Sequence, residues 1–299
     1  MQKIETFYKN YELIDSGNGR RLERFGDYIL DRPAPQALLD KLIDPFVWHR
    51  ADFKFDDGIW VDNTDKQVDS DVVWNLPIAN MSLKLKLSQN GQVGLFPEQI
   101  PNWIWLEDVI TNHLKTMGTK LYNSDKKFNV MNTFAYTGAA SLFCADASKK
   151  FPSEICHLDG SKPAVTWAGE NAKINELSNI RWIIDDVVTF MKREVKREKF
   201  YDGLILDPPA FGRGKNKTWT FNKDLEELLN VSKSLLSPAG PVFFLMSCHE
   251  QNIEQKELND VVSDILSIPQ RFMELVELNI PSNRGNPLPC GICVRFKKS

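Results

Sequence analysis

The chain has 299 residues, of which 42% are hydrophobic and 26% charged, and its formal net charge is −3. These values are typical of a globular protein that buries a sizeable core. No apolar run approaches the roughly 18 residues that a membrane-spanning helix needs, and the N-terminus lacks the basic and apolar segments of a secretory signal. We therefore expect a cytoplasmic protein with no membrane partner.

The cysteines indicate neither a disulfide framework nor a metal site. Five are scattered along the chain without framework spacing, which is typical of reduced thiols. Cys290 and Cys293 have C-x-x-C spacing, but a zinc site takes four ligands and the chain has no second pair. We predict no metal site and interpret this pair as part of a C-terminal strand.

Residues 1–95 are predicted to form a β-rich N-terminal domain. Apolar residues alternate with polar ones from Leu83 to Leu87, just before Asn90 and Gly91. Alternation that ends at Asn-Gly predicts a β-hairpin, because both residues tolerate the positive φ of a tight turn. The sequence leaves open whether this domain recognises substrate, caps a cofactor pocket or does both.

Residues 96–299 are predicted to form an α/β domain. Helical spacing runs from Trp103 to Leu114, and Gly118 is the predicted end of that helix. Strand and helix patterns then alternate. The predicted strands are Phe128–Phe134, Glu154–Asp159, Ile180–Ile184, Asp202–Asp207 and Pro241–Ser247. This alternation predicts a doubly wound, mostly parallel sheet covered by helices on both faces.

Ligands of such a sheet bind beyond the carboxyl ends of its strands. The first strand is followed by a small-residue loop at Gly138, and the second ends at Asp159, which can accept hydrogen bonds from ribose hydroxyls. Asp185 and Asp186 follow the third strand and either accept from an adenine amine or cap the next helix. The fourth is followed by Asp207–Phe211, whose two prolines fix the backbone. Together these features indicate a nucleotide-type cofactor site.

Four segments resemble motifs one to four of the class I S-adenosylmethionine-dependent methyltransferases. They are NTFAYTG (132–138), LDGSKPAVTWAGENAKIN (158–175), DDV (185–187) and LDPPAFGRGK (206–215). More narrowly, they resemble the group related to the large-subunit ribosomal RNA methyltransferases that make 5-methylcytosine or 7-methylguanine. GLFPEQ (94–99) is similar to a G-x-F-L-D-Q segment of that group. The resemblance spans about residues 94–299 and implies a seven-stranded, Rossmann-like methyltransferase sheet. The N-terminal piece does not resemble the RNA-binding module of the 5-methylcytosine enzymes.

The resemblance implies that the chain binds S-adenosylmethionine and transfers its methyl group. The cofactor contacts that it implies are Phe96, Gln99, Asn132, Phe134, Tyr136, Thr137, Gly138, Asp159, Ser161, Asp186, Val187 and Asp207. In this assignment the backbone of residues 134–138 holds the methionine end, Asp159 the ribose and Asp186 the adenine amine. Asp207 lies near the transferred methyl group.

Two mechanisms of methyl transfer remain open. In the first, the thiolate of Cys248 adds to carbon 6 of a pyrimidine, because carbon 5 is not nucleophilic by itself. Asp207 then protonates the base, and His249 lowers the thiol pKa. In the second, a nitrogen of the acceptor attacks the methyl group directly, and Cys248 is a small buried side chain. The residues that align the acceptor are then Asp207, Pro208, Pro209 and Phe211.

RNA is the predicted partner of the chain. Arg213, Lys215 and Lys217 follow the Asp207–Phe211 loop, where we expect them to contact phosphates. Trp219 and Phe221 are either stacking surfaces for bases or core aromatics. A protein or small-molecule acceptor, and a non-catalytic S-adenosylmethionine-binding protein, stay as alternatives because this fold hosts many substrates. A nicotinamide-dependent oxidoreductase is disfavoured because the chain lacks G-x-G-x-x-G. The oligomeric state is not indicated.

Overall fold

The structure is a computed structural model that describes the backbone of residues 2–68, 72–122, 126–213, 218–250 and 253–298. Side chains are described in these ranges except at residues 2, 118–122, 213 and 218. The chain divides into two compact units. The first comprises Met1–Ile104 and Leu278–Cys290, and the second comprises Trp105–Glu277 and Gly291–Ser299. The first unit therefore continues past residue 95 and takes in a C-terminal segment that no sequence pattern marked. The division of roles between residues 1–95 and 96–299 stays a prediction.

The first unit is rich in β-structure, as predicted. Its elements in chain order are α1 (Gln2–Tyr8), β1 (Tyr11–Gly17), β2 (Arg20–Phe25), β3 (Tyr28–Pro33), α2 (Pro45–Trp48), β4 (Phe53–Asp56), β5 (Ile59–Asp62), β6 (Val73–Ile78) and β7 (Met81–Lys86). The first five strands form one sheet in sequence order, and β6 pairs with β7 in a separate antiparallel hairpin. A 3₁₀ turn at Pro97–Gln99 leads into the long helix α3 (Ile100–Tyr122).

Two local predictions for residues 83–118 are wrong. The chain does turn at Asn90-Gly91, where Lys86 N–H donates to the Val93 carbonyl at 3.3 Å, but no strand follows. The partner of β7 is β6 instead, because strand pairing depends on contacts that a local turn signal does not specify. Helix α3 also runs through Gly118 to Tyr122. A single glycine costs a helix only about 1 kcal/mol, which the packing of its apolar face can outweigh.

The second unit alternates strands and helices. In chain order these are β8 (Phe128–Thr133), α4 (Ala139–Ser148), β9 (Ser153–Asp159), α5 (Lys162–Ile174), β10 (Ile180–Ile184), α6 (Val187–Lys196), β11 (Gly203–Leu206), β12 (Phe211–Arg213), β13 (Thr218–Thr220), α7 (Phe221–Leu235), β14 (Phe243–Cys248), α8 (Gln255–Leu266), β15 (Met273–Ile280) and β16 (Leu288–Lys297). The last two strands begin or end in the first unit.

The main sheet has the order β10-β9-β8-β11-β14-β16-β15. The first five of these strands pair in parallel, and β16 pairs with β14 antiparallel. Every residue of β14 is buried, as expected for a central strand covered on both faces. This order confirms the predicted doubly wound, mostly parallel, seven-stranded sheet.

Two further observations concern the described part of the chain. Cys290 and Cys293 both lie in β16, which confirms that they belong to a C-terminal strand. Within the described residues, no group of three or more His, Cys, Asp or Glu side chains could hold a metal ion. None of the described helices is long and apolar enough to cross a bilayer.

Candidate functional site

The loops at the carboxyl ends of the central strands form the candidate site. β8 lies between β9 and β11, so the strand order reverses between β8 and β11. In doubly wound sheets the loops diverge at this point and leave a crevice in which ligands bind. All the predicted site residues except Phe96 and Gln99 lie in the second unit.

The loop of residues 134–138, which follows β8, has an unusual backbone conformation. Phe134, Tyr136 and Gly138 have φ angles of 53°, 49° and 91°. Left-handed backbone is uncommon in residues other than glycine, and it persists where surrounding contacts maintain it. One such contact is the Tyr136 N–H, which donates to Oδ2 of Asp159 at 2.8 Å. The end of β9 therefore holds this loop in place.

Gly138 is required by packing against the neighbouring helices. A Cβ at this position would lie 2.9 Å from the Cβ of Ala168 and 3.0 Å from Cδ1 of Leu142. Helix α5 thus approaches the loop closely, and its Asn171 amide donates to the Thr137 carbonyl at 3.0 Å. The close packing of helix α5 and the positive φ of residue 138 are together sufficient to require a glycine here, whether or not a ligand binds.

Asp159 ends β9 with its carboxylate between two backbone donors. The N–H groups of Tyr136 and Ser161 each donate to it at 2.8 Å. Burial raises the pKa of Asp159, and these two hydrogen bonds oppose the rise. Because each carboxylate oxygen has two lone pairs, the side chain can still accept from the hydroxyls of a ligand. This is the acceptor pattern that a ribose requires.

Asn132 belongs to a buried polar chain. Its side chain is 2% exposed and donates to Oγ of Ser141 at 2.9 Å. That oxygen lies 3.0 Å from Nδ1 of His157, whose pKa burial lowers to about 3. Asn132 and His157 face each other in the β8–β9 ladder, and Ser141 lies in the first turn of α4. Sequence reasoning missed Ser141, although two polar residues facing each other in buried strands were a usable signal.

The pair Asp185 and Asp186 precedes α6. Oδ1 of Asp186 accepts from the Thr189 N–H at 2.9 Å, which confirms the helix-cap interpretation for this residue. Asp185 forms an ion pair with Arg193. Val187 is the first residue of the helix and is buried. Asp186 remains exposed, so an adenine contact is compatible with its cap role and stays a prediction.

The Asp207–Phe211 loop follows β11 and changes from buried to exposed along its length. Pro208 is buried, Pro209 is exposed, and Phe211 is 56% exposed. Phe211 begins β12, which pairs antiparallel with β13. The loop therefore presents an aromatic ring to solvent a few residues after Asp207, the carboxylate that directly follows β11.

Trp219 links this loop to the first motif. Its indole N–H donates to the Pro209 carbonyl at 2.7 Å. Its ring centroid also lies 5.3 Å from that of Phe134, at an interplanar angle of 51°. Trp219 therefore connects the Asp207–Phe211 loop to Phe134, a contact that its sequence context did not reveal. Phe221 is only 1% exposed, which confirms the core interpretation and excludes it as a stacking surface.

Cys248 is the last residue of β14 and is fully buried. Burial raises the pKa of its thiol to about 11. The expectation that His249 lowers this pKa is wrong, because the imidazole contacts a different group. His249 Nε2 lies 3.1 Å from Oδ1 of Asp207. The buried thiol matches the interpretation of Cys248 as a small apolar side chain.

The other predicted residues are less informative. In the first unit, Phe96 precedes the 3₁₀ turn and Gln99 is 7% exposed, with its Oε1 accepting from Asn102 at 2.8 Å. Arg213 ends β12, and its side chain is outside the described residues. Lys215 and Lys217 lie wholly outside the described residues. The roles of all five stay predictions.

The fold and site together define an α/β enzyme that binds a nucleoside-containing cofactor. The carboxylates of Asp159, Asp186 and Asp207 occur at the carboxyl ends of β9, β10 and β11, three strands of the same mostly parallel sheet, or in the loops that follow them. Acidic acceptors suit ribose hydroxyls, an adenine amine and a positively charged sulfonium group. The residues present therefore fit S-adenosylmethionine.

Comparisons with known proteins agree with this assignment. The SAM-dependent methyltransferase from Agrobacterium tumefaciens, a solved structure, is 30% identical to this chain; the match covers 97% of this chain and 91% of that one, with a TM-score of 0.82. The ribosomal RNA large subunit methyltransferase K/L of Shewanella frigidimarina is 31% identical over 49% of this chain. The ribosomal RNA large subunit methyltransferase I of Aeromonas salmonicida is 29% identical over 48% of it. These matches span only 20% and 36% of the two curated relatives. No protein-family model matches the sequence.

The chain belongs to the S-adenosylmethionine-dependent methyltransferases, because the similarity to the Agrobacterium protein extends over nearly the whole of both chains. It is therefore a transferase of methyl groups with S-adenosylmethionine as its cofactor.

Proposed function

We propose that this methyltransferase acts on a base of RNA. The observation that carries the proposal is the exposed ring of Phe211, which is separated by two prolines and an alanine from Asp207, the first residue after β11. A planar aromatic surface beside a hydrogen-bonding carboxylate suits a flat base that carries polar edges. Trp219 supports the same loop through its bond to Pro209.

The chain's own residues divide the work of binding the cofactor. Asp159 accepts from the ribose hydroxyls, Asp186 from the adenine amine, and the backbone of residues 134–138 holds the methionine end. Phe96, Gln99, Asn132, Ser161 and Val187 are the further matching positions. S-adenosylmethionine, when bound, supplies an electrophilic methyl group on a sulfonium. Asp207 and Phe211 then orient the acceptor.

Direct attack by an acceptor nitrogen is the mechanism that the site supports. A covalent mechanism needs a thiolate that can reach the base, whereas Cys248 is fully buried. The raised pKa of about 11 also keeps the thiol protonated at neutral pH. Attack by nitrogen needs no protein nucleophile, and the Asp207–Phe211 loop supplies both the alignment of the acceptor and a carboxylate beside it.

The choice of RNA rests partly on the matched relatives, whose names are those of ribosomal RNA methyltransferases. This chain spans at most about a third of their length in these matches, so their substrates are not transferred to it directly. Arg213, Lys215 and Lys217 are the residues proposed to contact phosphates. The first unit is proposed to recognise substrate or cap the cofactor.

The test uses total cellular extract from a strain that lacks this protein, incubated with tritium-labelled S-adenosylmethionine and the purified enzyme. The label is expected in the RNA fraction, as a methylated nitrogen of one base. Label confined to protein or to small molecules would contradict the proposal.

A pair of variants then tests the stacking role of Phe211. Phe211→Ala should raise the KM for RNA by about tenfold, because base–aromatic stacking contributes about 1–3 kcal/mol. Phe200, which is 43% exposed and lies outside these loops, is the matched control. Phe200→Ala should leave the KM unchanged, and equal effects of the two substitutions would refute the role of Phe211.

A further inference from the structure

Asp207 and His249 form a side-chain pair at the ends of two neighbouring parallel strands. β11 and β14 pair in parallel up to Leu206 and Met246, and the two residues follow shortly after this last pair. His249 Nε2 lies 3.1 Å from Asp207 Oδ1, and each side chain is 29% exposed. The pair is therefore accessible at the edge where the acceptor must enter.

The neighbouring strand β16 approaches the imidazole from another side. Gly291 has φ of 138°, and a Cβ there would lie 2.3 Å from the Cys248 carbonyl oxygen and 3.2 Å from His249 Nδ1. Any side chain at position 291 would collide with the backbone that carries the imidazole. The ring thus contacts Asp207 at Nε2, and the space beside Nδ1 leaves no room for a side chain at position 291.

We infer that His249 is a positioning residue that orients the carboxylate of Asp207 toward the methyl acceptor. The inference rests on the proposed function, in which Asp207 contacts the acceptor. Because a carboxylate only accepts hydrogen bonds, Nε2 carries the hydrogen and donates it to Oδ1. That bond fixes the plane of the carboxylate and directs Oδ2 to accept from the N–H of the acceptor.

The proton balance follows from this arrangement. The acceptor nitrogen forms its new bond to the methyl carbon, while the carbon–sulfur bond breaks and its electron pair stays on sulfur. The nitrogen then has one proton too many, which passes to the carboxylate of Asp207 and from there to water. His249 keeps its own proton throughout, so it acts through Asp207 and contacts no reacting atom.

Two substitutions of His249 distinguish a role as hydrogen-bond donor to Asp207 from a role as the acceptor of the proton released in the reaction. His249→Gln keeps an N–H donor at about the reach of Nε2, whereas His249→Ala removes it. The assay measures transfer of tritium-labelled methyl to ribosomal RNA from a strain lacking this protein. We expect His249→Ala to lower kcat by about tenfold, as for one hydrogen bond to a charged group, with an unchanged KM for S-adenosylmethionine.

His249→Gln should restore kcat to within about threefold of wild type, with the same pH profile. A Gln variant as slow as the Ala variant would mean that the imidazole takes the proton, which overturns the inference. Unchanged rates in both variants overturn it as well. If the wild type labels no RNA at all, the proposed function fails instead, and that outcome is seen before any variant is compared.

A measurement without substrate tests the same bond. The chain has four histidines, so the signals of His249 in a ¹⁵N-labelled protein are identified by their loss in His249→Gln. Two-bond proton–nitrogen spectra should show the tautomer protonated at Nε2. The tautomer protonated at Nδ1 would overturn the inference even if the acceptor were still unidentified.

Discussion

Asp159→Ala tests the cofactor site at its most defined residue. The carboxylate accepts two backbone N–H groups at 2.8 Å, and in the proposed complex it also accepts from the ribose. Losing one net hydrogen bond to a charged group costs about 1.5–3 kcal/mol. That loss corresponds to a rise of about 10- to 150-fold in the Kd of S-adenosylmethionine. The substitution also removes the acceptor that helps to hold Tyr136 in left-handed backbone, which acts in the same direction.

The assay is isothermal titration calorimetry on the purified protein, after mass spectrometry has shown that no cofactor was carried through purification. Asp146→Ala is the matched control, because it removes a carboxylate near the carboxyl end of helix α4 that pairs with Lys149. We expect it to change the Kd by less than about threefold. If Asp159→Ala binds as tightly as wild type while its circular dichroism is unchanged, the assignment of the ribose to Asp159 is refuted.

Three further predictions follow from the second unit. Burial lowers the pKa of His157 to about 3 in the folded protein, against about 6.5 in the unfolded chain, so below neutral pH this residue gains its proton only on unfolding. In urea unfolding, acidification from about pH 7 to pH 5 should therefore lower the free energy of unfolding of the wild type by about 2 kcal/mol more than that of His157→Gln. Parallel pH curves for the two proteins would contradict this prediction. Cys248→Ala should keep kcat within about threefold of wild type. Loss of activity in this variant, together with a covalent complex between the wild type and RNA containing 5-fluorocytosine, would instead support the thiolate mechanism. Trp219→Phe keeps a ring near Phe134 but loses the hydrogen bond to Pro209, so kcat should fall about fivefold, as for one neutral hydrogen bond, with an unchanged Kd for the cofactor. A weakened cofactor affinity in this variant would instead assign Trp219 to the binding site.

The strands of the second unit could be predicted from the sequence because buried parallel strands are continuous apolar runs between helical segments. The prediction of Ile180–Ile184 matches β10 at both ends. The β6–β7 hairpin was missed because β6 contains Pro77 and lacks clear alternation, while Asn90-Gly91 nearby carried a stronger turn signal. A proline is tolerated in β6 because this strand belongs to a two-stranded sheet, where one side of its backbone pairs with no other strand of the described ranges.

The edge that carries the site could also be predicted, since parallel topology brings consecutive strand ends together. The contacts within the site could not. Trp219 in β13 contacts Pro209, which precedes β12. His249 follows β14 and contacts Asp207, which follows β11; these two strands pair in the sheet, but helix α7 lies between them in the sequence. These pairs depend on side-chain rotamers and on strand register, neither of which is encoded in a short motif. The polar pair Asn132 and His157 is different, because facing positions in adjacent predicted strands can be found by alignment of their registers.

His249 bears most directly on the chemistry of the acceptor. In the 5-methylcytosine enzymes that this chain resembles, the thiol lies in a Ser-Cys-Ser context, whereas here the third residue is His249. Methylation of carbon 5 of cytosine would need Asp207 to donate a proton to the base. In the inferred arrangement His249 instead donates to Oδ1 of Asp207, and Oδ2 accepts from the N–H of the methyl acceptor. In the proposed mechanism, this departure from the carbon-methylating motif leaves Asp207 able to accept from an N–H group. The burial of Cys248 disfavours its use as the nucleophile that carbon methylation requires. Both features support a nitrogen as the methylated atom.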